Sequence, residues 1–223
     1  MKHFKNFKTC VYCTAQTLAS LDETTLARDY AYLEKYVGID KVYLETYRDG
    51  TWVAIDHMKM IQNFFKKHGV EIAGGITTVT PPLEKDDVKR QRLFQTFCYS
   101  NETMRTYLKK IVTYTAELFD EIILDDFFFT SCTCDDCLRE RSNLSWAEFR
   151  SKKMIDVAEN LILKPAKLAN PSVKVTIKYP NWRESYHETG YVPKIQPSMF
   201  DKIYTGTETR NTAHTDQHLP RYL

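Results

Sequence analysis

The stretch Glu121–Phe129, EIILDDFFF, sets Ile122, Ile123 and Leu124 directly before two adjacent carboxylates, Asp125 and Asp126, and closes on Phe127, Phe128 and Phe129. A short continuous apolar run that ends abruptly in charge is how a parallel strand covered on both faces reads, since neither face meets water until the strand is over. Working outward, five further runs have the same character: Thr9–Ala15 (TCVYCTA), Lys41–Tyr47 (KVYLETY), Val70–Val79 (VEIAGGITTV), Val173–Tyr179 (VKVTIKY) and Asp201–Thr207 (DKIYTGT). Helical patterns fill the gaps between them. Ser20 and Glu23 read as an S-x-x-E capping box ahead of Leu26, Leu33 and Val37, with Gly38 as the stop. Ile55, Met58, Ile61 and Phe65 form one stripe closed by Gly69. Asn101 opens a third helix with Met104, Leu108, Ile111 and Leu118 inside, and a Ser145/Glu148 box introduces a fourth running through Met154, Val157 and Leu161 toward Pro165.

Strand starts near residues 9, 41, 70, 121, 173 and 201 fall about 30 residues apart, with two intervals near 50. Units of that size predict an α/β fold with a parallel sheet, either open and doubly wound or closed as a barrel. The glycines favour the barrel: no G-x-G-x-x-G follows the first strand, no G-x-x-x-x-G-K-[ST] occurs, and Gly74 and Gly75 lie inside a strand. The expectation is a TIM-type (β/α) barrel with six of its eight strand-helix units, forming one domain over residues 1–223 that is short at its C-terminal end.

Composition narrows the function classes. Of 223 residues, 43% are hydrophobic and 27% charged, with only seven Gly and eight Pro, which excludes disordered, collagenous and coiled-coil chains. Thirty-one Lys and Arg against 29 Asp and Glu leave a net charge of +2 without a basic stripe, so nucleic acid is not an expected partner. No apolar run reaches membrane-spanning length and the start, MKHFKNFKTC, lacks a signal-peptide core, so a cytoplasmic address is expected. Nothing indicates an oligomeric state. The 14 Tyr and 12 Phe suit core packing, with a few left for stacking on carbohydrate.

In a barrel of this type the chemistry sits at the carboxyl ends of the strands. Reading each run to its end gives Glu45, Tyr47 and Arg48; Thr77 and Thr78; Asp125 and Asp126; Lys178, Asn181 and Trp182; and Glu208 and Arg210. Adjacent strand residues face opposite ways, so one of Asp125 and Asp126 faces the barrel axis and the other pairs locally, with Asp125 favoured as the inward one. Alternatively both only bind loop amides. Glu208 and Arg210 read either as a site carboxylate with its cation or as an exposed ion pair. Lys178 reads as a donor to a sugar hydroxyl, a partner of Asp125 or Asp126, or a snorkelling surface lysine. Glycoside hydrolysis needs two carboxyl groups about one bond, which Asp125 and Glu208 would supply. No H-E-x-x-H or G-x-S-x-G offers a competing mechanism.

EIILDDFFF, followed two strands later by Tyr204–Arg210 (YTGTETR), resembles the barrels of glycoside hydrolases related to alpha-galactosidases, and the whole chain looks like a longer-running bacterial group described as glycoside hydrolases. The resemblance implies a carbohydrate substrate with no required cofactor. It implies Asp125 as nucleophile, Glu208 as general acid/base, and Glu45, Arg48, Lys178, Asn181 and Trp182 as sugar contacts, with Arg210 beside Glu208. Alpha-galactosidase-like enzymes carry aspartate where this chain has Glu208. A barrel that binds carbohydrate without turnover is the non-enzymatic alternative.

Cys132, Cys134 and Cys137 form C-x-C-x-x-C just past the fourth apolar run. Three thiols at that spacing can hold one structural zinc if a fourth ligand joins them, with Cys98, a histidine or Asp135 as candidates; otherwise they are reduced bystanders. An iron-sulfur barrel that cleaves S-adenosylmethionine would need C-x-x-x-C-x-x-C after the first strand, where only Cys10 and Cys13 stand.

Overall fold

The computed structural model describes residues 4–206 apart from Trp182, and in it six parallel strands curl side by side with helices on their outer face. In chain order the strands are β1 (Cys10–Cys13), β2 (Lys41–Arg48), β3 (Thr51–Trp52), β4 (Glu71–Ile76), β5 (Glu121–Leu124), β6 (Lys174–Tyr179) and β7 (Lys202–Thr205). The sheet runs β1-β2-β4-β5-β6-β7, every neighbour parallel, and β3 pairs antiparallel with the end of β2. Each expected strand is present, most of them shorter than the apolar run and β2 one residue longer. The unforeseen element is β3, formed where Asp49 and Gly50 both take positive φ (50° and 79°), the two-residue turn that reverses a strand most tightly.

The helices are α1 (Ala15–Ser20), α2 (Glu23–Tyr36), α3 (Ile55–Lys67), α4 (Asp86–Arg90), α5 (Glu102–Leu118), α6 (Asp135–Arg141), α7 (Trp146–Val157), α8 (Lys164–Ala169) and α9 (Tyr186–Thr189). The capping box assigned to Ser20 and Glu23 is corrected: Ser20 ends the short α1, and the box belongs to Asp22 and Thr25. Asp22 is as good an N-cap as serine, and α1 occupies the residues that would otherwise have led into α2. Asn101 and the Ser145/Glu148 box cap α5 and α7 as expected. Between α7 and α8 the chain widens into a π-turn over Ala158–Leu163, which accommodates the missing amide and the ring of Pro165 without breaking the helical path.

Strand residues of one parity face the helices. Ile76, Ile122, Leu124, Val175 and Ile177 pack with Leu108, Ile111 and Leu161 in one core, while Val42 and Leu44 pack with Leu18, Met58, Ile61 and Phe65 in another. Burying each such aliphatic side chain contributes roughly 1.5–3 kcal/mol before chain entropy is subtracted. Gly74 belongs to this outward set, and a Cβ there would lie 2.7 Å from the Phe119 ring.

The opposite parity fills the concave side with polar and aromatic groups. At the amino ends of the strands, Glu121 accepts from Lys41 (2.6 Å) and Lys202 (2.7 Å), joining β2, β5 and β7 across the curl. Above it, Tyr12, Tyr43, Ala73 and Ile123 form a small apolar layer, with Tyr43 Oη 2.5 Å from Tyr204 Oη. Burial opposes ionisation of Glu121, but the bonds from Lys202 and Lys41 outweigh it and hold the carboxyl below its ordinary value. A group depressed on folding adds stability that is complete above its unfolded pKa and disappears as pH falls through its folded one. Thermal melts of Glu121→Gln should therefore sit below wild type at pH 7 and converge with it below about pH 4. Parallel curves at all pH values would show that the two ammonium groups are not coupled to this carboxylate.

Candidate active site

The third and uppermost layer lies at the carboxyl ends of the strands, and one irregularity in β2 builds it. The β2–β4 register shifts between Glu45 and Tyr47, so one extra residue, Thr46, is inserted. Side chains three apart in a regular strand point to opposite faces; the bulge restores Glu45 and Arg48 to the same one. Arg48 Nε then donates to both oxygens of Glu45 (2.8 and 3.1 Å), and its Nη2 reaches Thr77 Oγ1 (2.9 Å) and Asp125 Oδ2 (3.0 Å).

Glu45 has no exposed surface and is the hub beneath this layer. It also accepts from Tyr12 Oη (2.7 Å), from the Ala15 amide at the start of α1 (2.7 Å) and from the Thr77 hydroxyl. Burial, then the neighbouring Glu45 and Asp125 carboxylates, push the Tyr12 hydroxyl well above its ordinary pKa, so it stays a donor. The strand neighbour Gly75 makes room for this ring, because a Cβ on it would stand 2.7 Å from Tyr12 Oη. Glu45 was expected to touch sugar; with both oxygens enclosed by donors from four other residues, it instead holds Arg48.

Asp125 borders the hollow above, which measures about 430 Å³ and is lined by Tyr12, Thr14, Tyr43, Arg48, Ile123, Asp125, Phe127, Lys178, Tyr204 and Cys10. Its Oδ1 accepts from Lys178 Nζ (3.2 Å) and from the Asp126 amide (2.9 Å), so both oxygens serve as acceptors. Lys178 also reaches Asp126 Oδ2 (3.3 Å). Asp125 is thus the inward one of the pair, as expected, and Asp126 pairs locally, but one lysine joins the two carboxylates. β5 ends at Leu124, and the chain turns over Asp126 and Phe127, so strict alternation no longer governs the pair. Asp126 is buried and its carbonyl accepts from Tyr191 Oη (2.9 Å), while Asp125 faces the hollow.

Asn181 lies half-buried at the bend after β6 and is not among the described residues that line the hollow. Trp182, Glu208 and Arg210 lie outside the described residues. Tyr12, Tyr43, Tyr204 and Phe127 were missed as site residues, although period-two spacing places Tyr43 on the same side as Glu45 and Tyr12 beside it in register. Beside Phe127, Phe94 is 61% exposed, holds a positive φ of 52°, and sets its ring edge-on to it (5.1 Å between centroids). Strain of that kind in a side chain so exposed marks a position held by its surroundings.

The expected cysteine motif closes on a fourth thiol. Sγ atoms of Cys98, Cys132, Cys134 and Cys137 all lie within 4.8 Å of one another. Cys98 comes from the segment between β4 and α5, the other three from the turn after β5 and the first turn of α6.

A curled parallel sheet, helices outside it, and charged groups gathered at the carboxyl ends of its strands define a TIM-type (β/α) barrel architecture. The chain belongs to the family described as probable glycosyl hydrolase, catalytic domain, whose model matches residues 1–223. An uncharacterized protein of Saccharolobus solfataricus is 33% identical over 230 aligned residues, covering 92% of this chain. Among solved structures, the cold-adapted beta-galactosidase from Rahnella sp. R3 superposes with a TM-score of 0.61 over 90% of this chain at 11% identity, a likeness of fold. The chain spans 38% of the length of the archaeal relative and 39% of the galactosidase. No helix among the described residues is long and apolar enough to cross a membrane.

Proposed function

We propose that this chain forms the barrel of an enzyme that hydrolyses a terminal, uncharged sugar from a glycoside. The observation carrying this reading is Asp125: a carboxylate at the end of a central strand, facing a sugar-sized hollow, with each oxygen held by a cationic donor. An acceptor at both oxygens suits attack on an anomeric carbon rather than proton donation. Arg48, fixed from beneath by Glu45 and Thr77, and Lys178 position that carboxylate, and Asp126 shares Lys178 without facing the hollow. Glu208 is the proposed general acid/base.

Tyr12, Tyr43, Tyr204 and Phe127 provide ring faces and hydroxyls around the space, as a pyranose with alternating C–H and O–H surfaces requires. Among the described residues, both cations at the hollow are engaged by carboxylates, which favours neutral over acidic sugars. A screen of nitrophenyl glycosides should release nitrophenol from at least one neutral hexoside and not from the glucuronide. It should be run on this chain beside a longer form matching the full length of its relatives. Sugar binding by calorimetry with no turnover in either form would replace the hydrolase with a carbohydrate-binding barrel.

A further inference from the structure

The geometry points to a closed structural zinc site made by Cys98, Cys132, Cys134 and Cys137, tying the segment after β4 to the segment after β5. Cys98 Sγ stands 3.6 Å from that of Cys134 and 3.7 Å from that of Cys137. A disulfide would need about 2.05 Å. Sulfurs placed tetrahedrally at about 2.3 Å from one zinc ion are separated by about 3.8 Å along each edge, close to these two spacings, and all four sulfurs lie within 4.8 Å of one another. Four thiols complete the coordination shell and leave no position for water or substrate, so the ion is structural.

The surroundings are those of a buried anionic centre. Cys98, Cys132 and Cys137 have 2% exposure or less and pack against Phe149, with Trp146 and Leu144 beside it. Arg92 Nη1 approaches Cys132 Sγ at 3.9 Å, and Arg150 donates to the Glu188 carbonyl and to that of Ser131, the residue before Cys132. A zinc tetrathiolate carries two negative charges, and these two guanidiniums lie where that charge would be met. Arg92 also grips Glu84 and the Thr96 carbonyl, thereby holding the turn that carries Phe94. The ion would lock the wall formed by Phe94 and Phe127 onto the loop that follows Asp125.

The test is elemental analysis of the reduced, purified chain, expressed with zinc, iron and cobalt in separate media. One zinc per chain is expected, absent from Cys98→Ser and Cys134→Ser, with cobalt giving the visible bands of a tetrahedral tetrathiolate. If those variants do not fold, the wild type decides by thiol titration. Of its six cysteines, the exposed Cys10 should react readily, Cys13 slowly because it packs against the core, and the other four only after a chelator withdraws the zinc, with a fall in melting temperature of about 10 °C or more. Iron as the tightly held metal, or a metal-free protein whose six thiols react alike and whose melting ignores chelator, would overturn the assignment.

Discussion

Asp125→Asn should lower kcat on any glycoside the enzyme turns over by on the order of 10⁴-fold or more, with KM and melting temperature little changed. The substitution keeps the shape of the side chain and removes its capacity to form a bond to the anomeric carbon. The neighbourhood tolerates the loss, because each cation keeps a second carboxylate: Arg48 retains Glu45 and Lys178 retains Asp126. The fold is therefore held while the reactive oxygen is disabled. Asp126→Asn provides the contrast, since Asp126 does not line the hollow, and its effect should stay within about a hundredfold. If Asp126→Asn were the more damaging of the two, the assignment of roles after β5 would be reversed. If Asp125→Asn kept a tenth or more of wild-type turnover, the carboxylate could not be the nucleophile.

The barrel architecture was legible because its signal is carried by the outward positions of the strands. Ile122 and Leu124, or Val175 and Ile177, sit under helices, and the middle concave layer of Tyr12, Tyr43, Ala73 and Ile123 is apolar or aromatic, so most of the runs read as continuous. The site was only half legible for the same reason. Tyr12 reads as core in a sequence, and its role as a donor to Glu45 depends on Gly75 leaving space for its ring one strand over from β2. The bulge at Thr46 has no sequence mark, and without it Glu45 and Arg48 would be assigned to opposite faces. The strand end at Leu124 is equally silent, so Asp125 could be read as the inward carboxylate but not the lysine that joins it to Asp126. Cys98 could be named only as one candidate among others. What brings it to the C-x-C-x-x-C loop is the adjacency of β4 and β5, a fact of sheet order.

The hub under the site carries the largest stability effect. Glu45→Ala should destabilise the chain by roughly 3–5 kcal/mol, the cost of stripping a buried ion pair of one partner. Arg48, with an 18% exposed side chain, would keep Asp125 as its remaining carboxylate partner, while the Ala15 amide and the Tyr12 and Thr77 hydroxyls would lose their common acceptor. For a chain of this size that corresponds to a fall in melting temperature of about 6–20 °C. Glu45→Gln should cost less, since it keeps the volume and one acceptor, but it turns an amide toward a guanidinium that is already a donor. The decisive measurement is a double-mutant cycle with Arg48→Ala. Because the Glu45–Arg48 interaction can be lost only once, the double variant should be more stable than the sum of the single losses by about 1–3 kcal/mol. Additive losses would mean that Glu45 and Arg48 act independently. In that case Arg48 would hold Asp125 without support from below, and the layered construction of the site would lose its middle link.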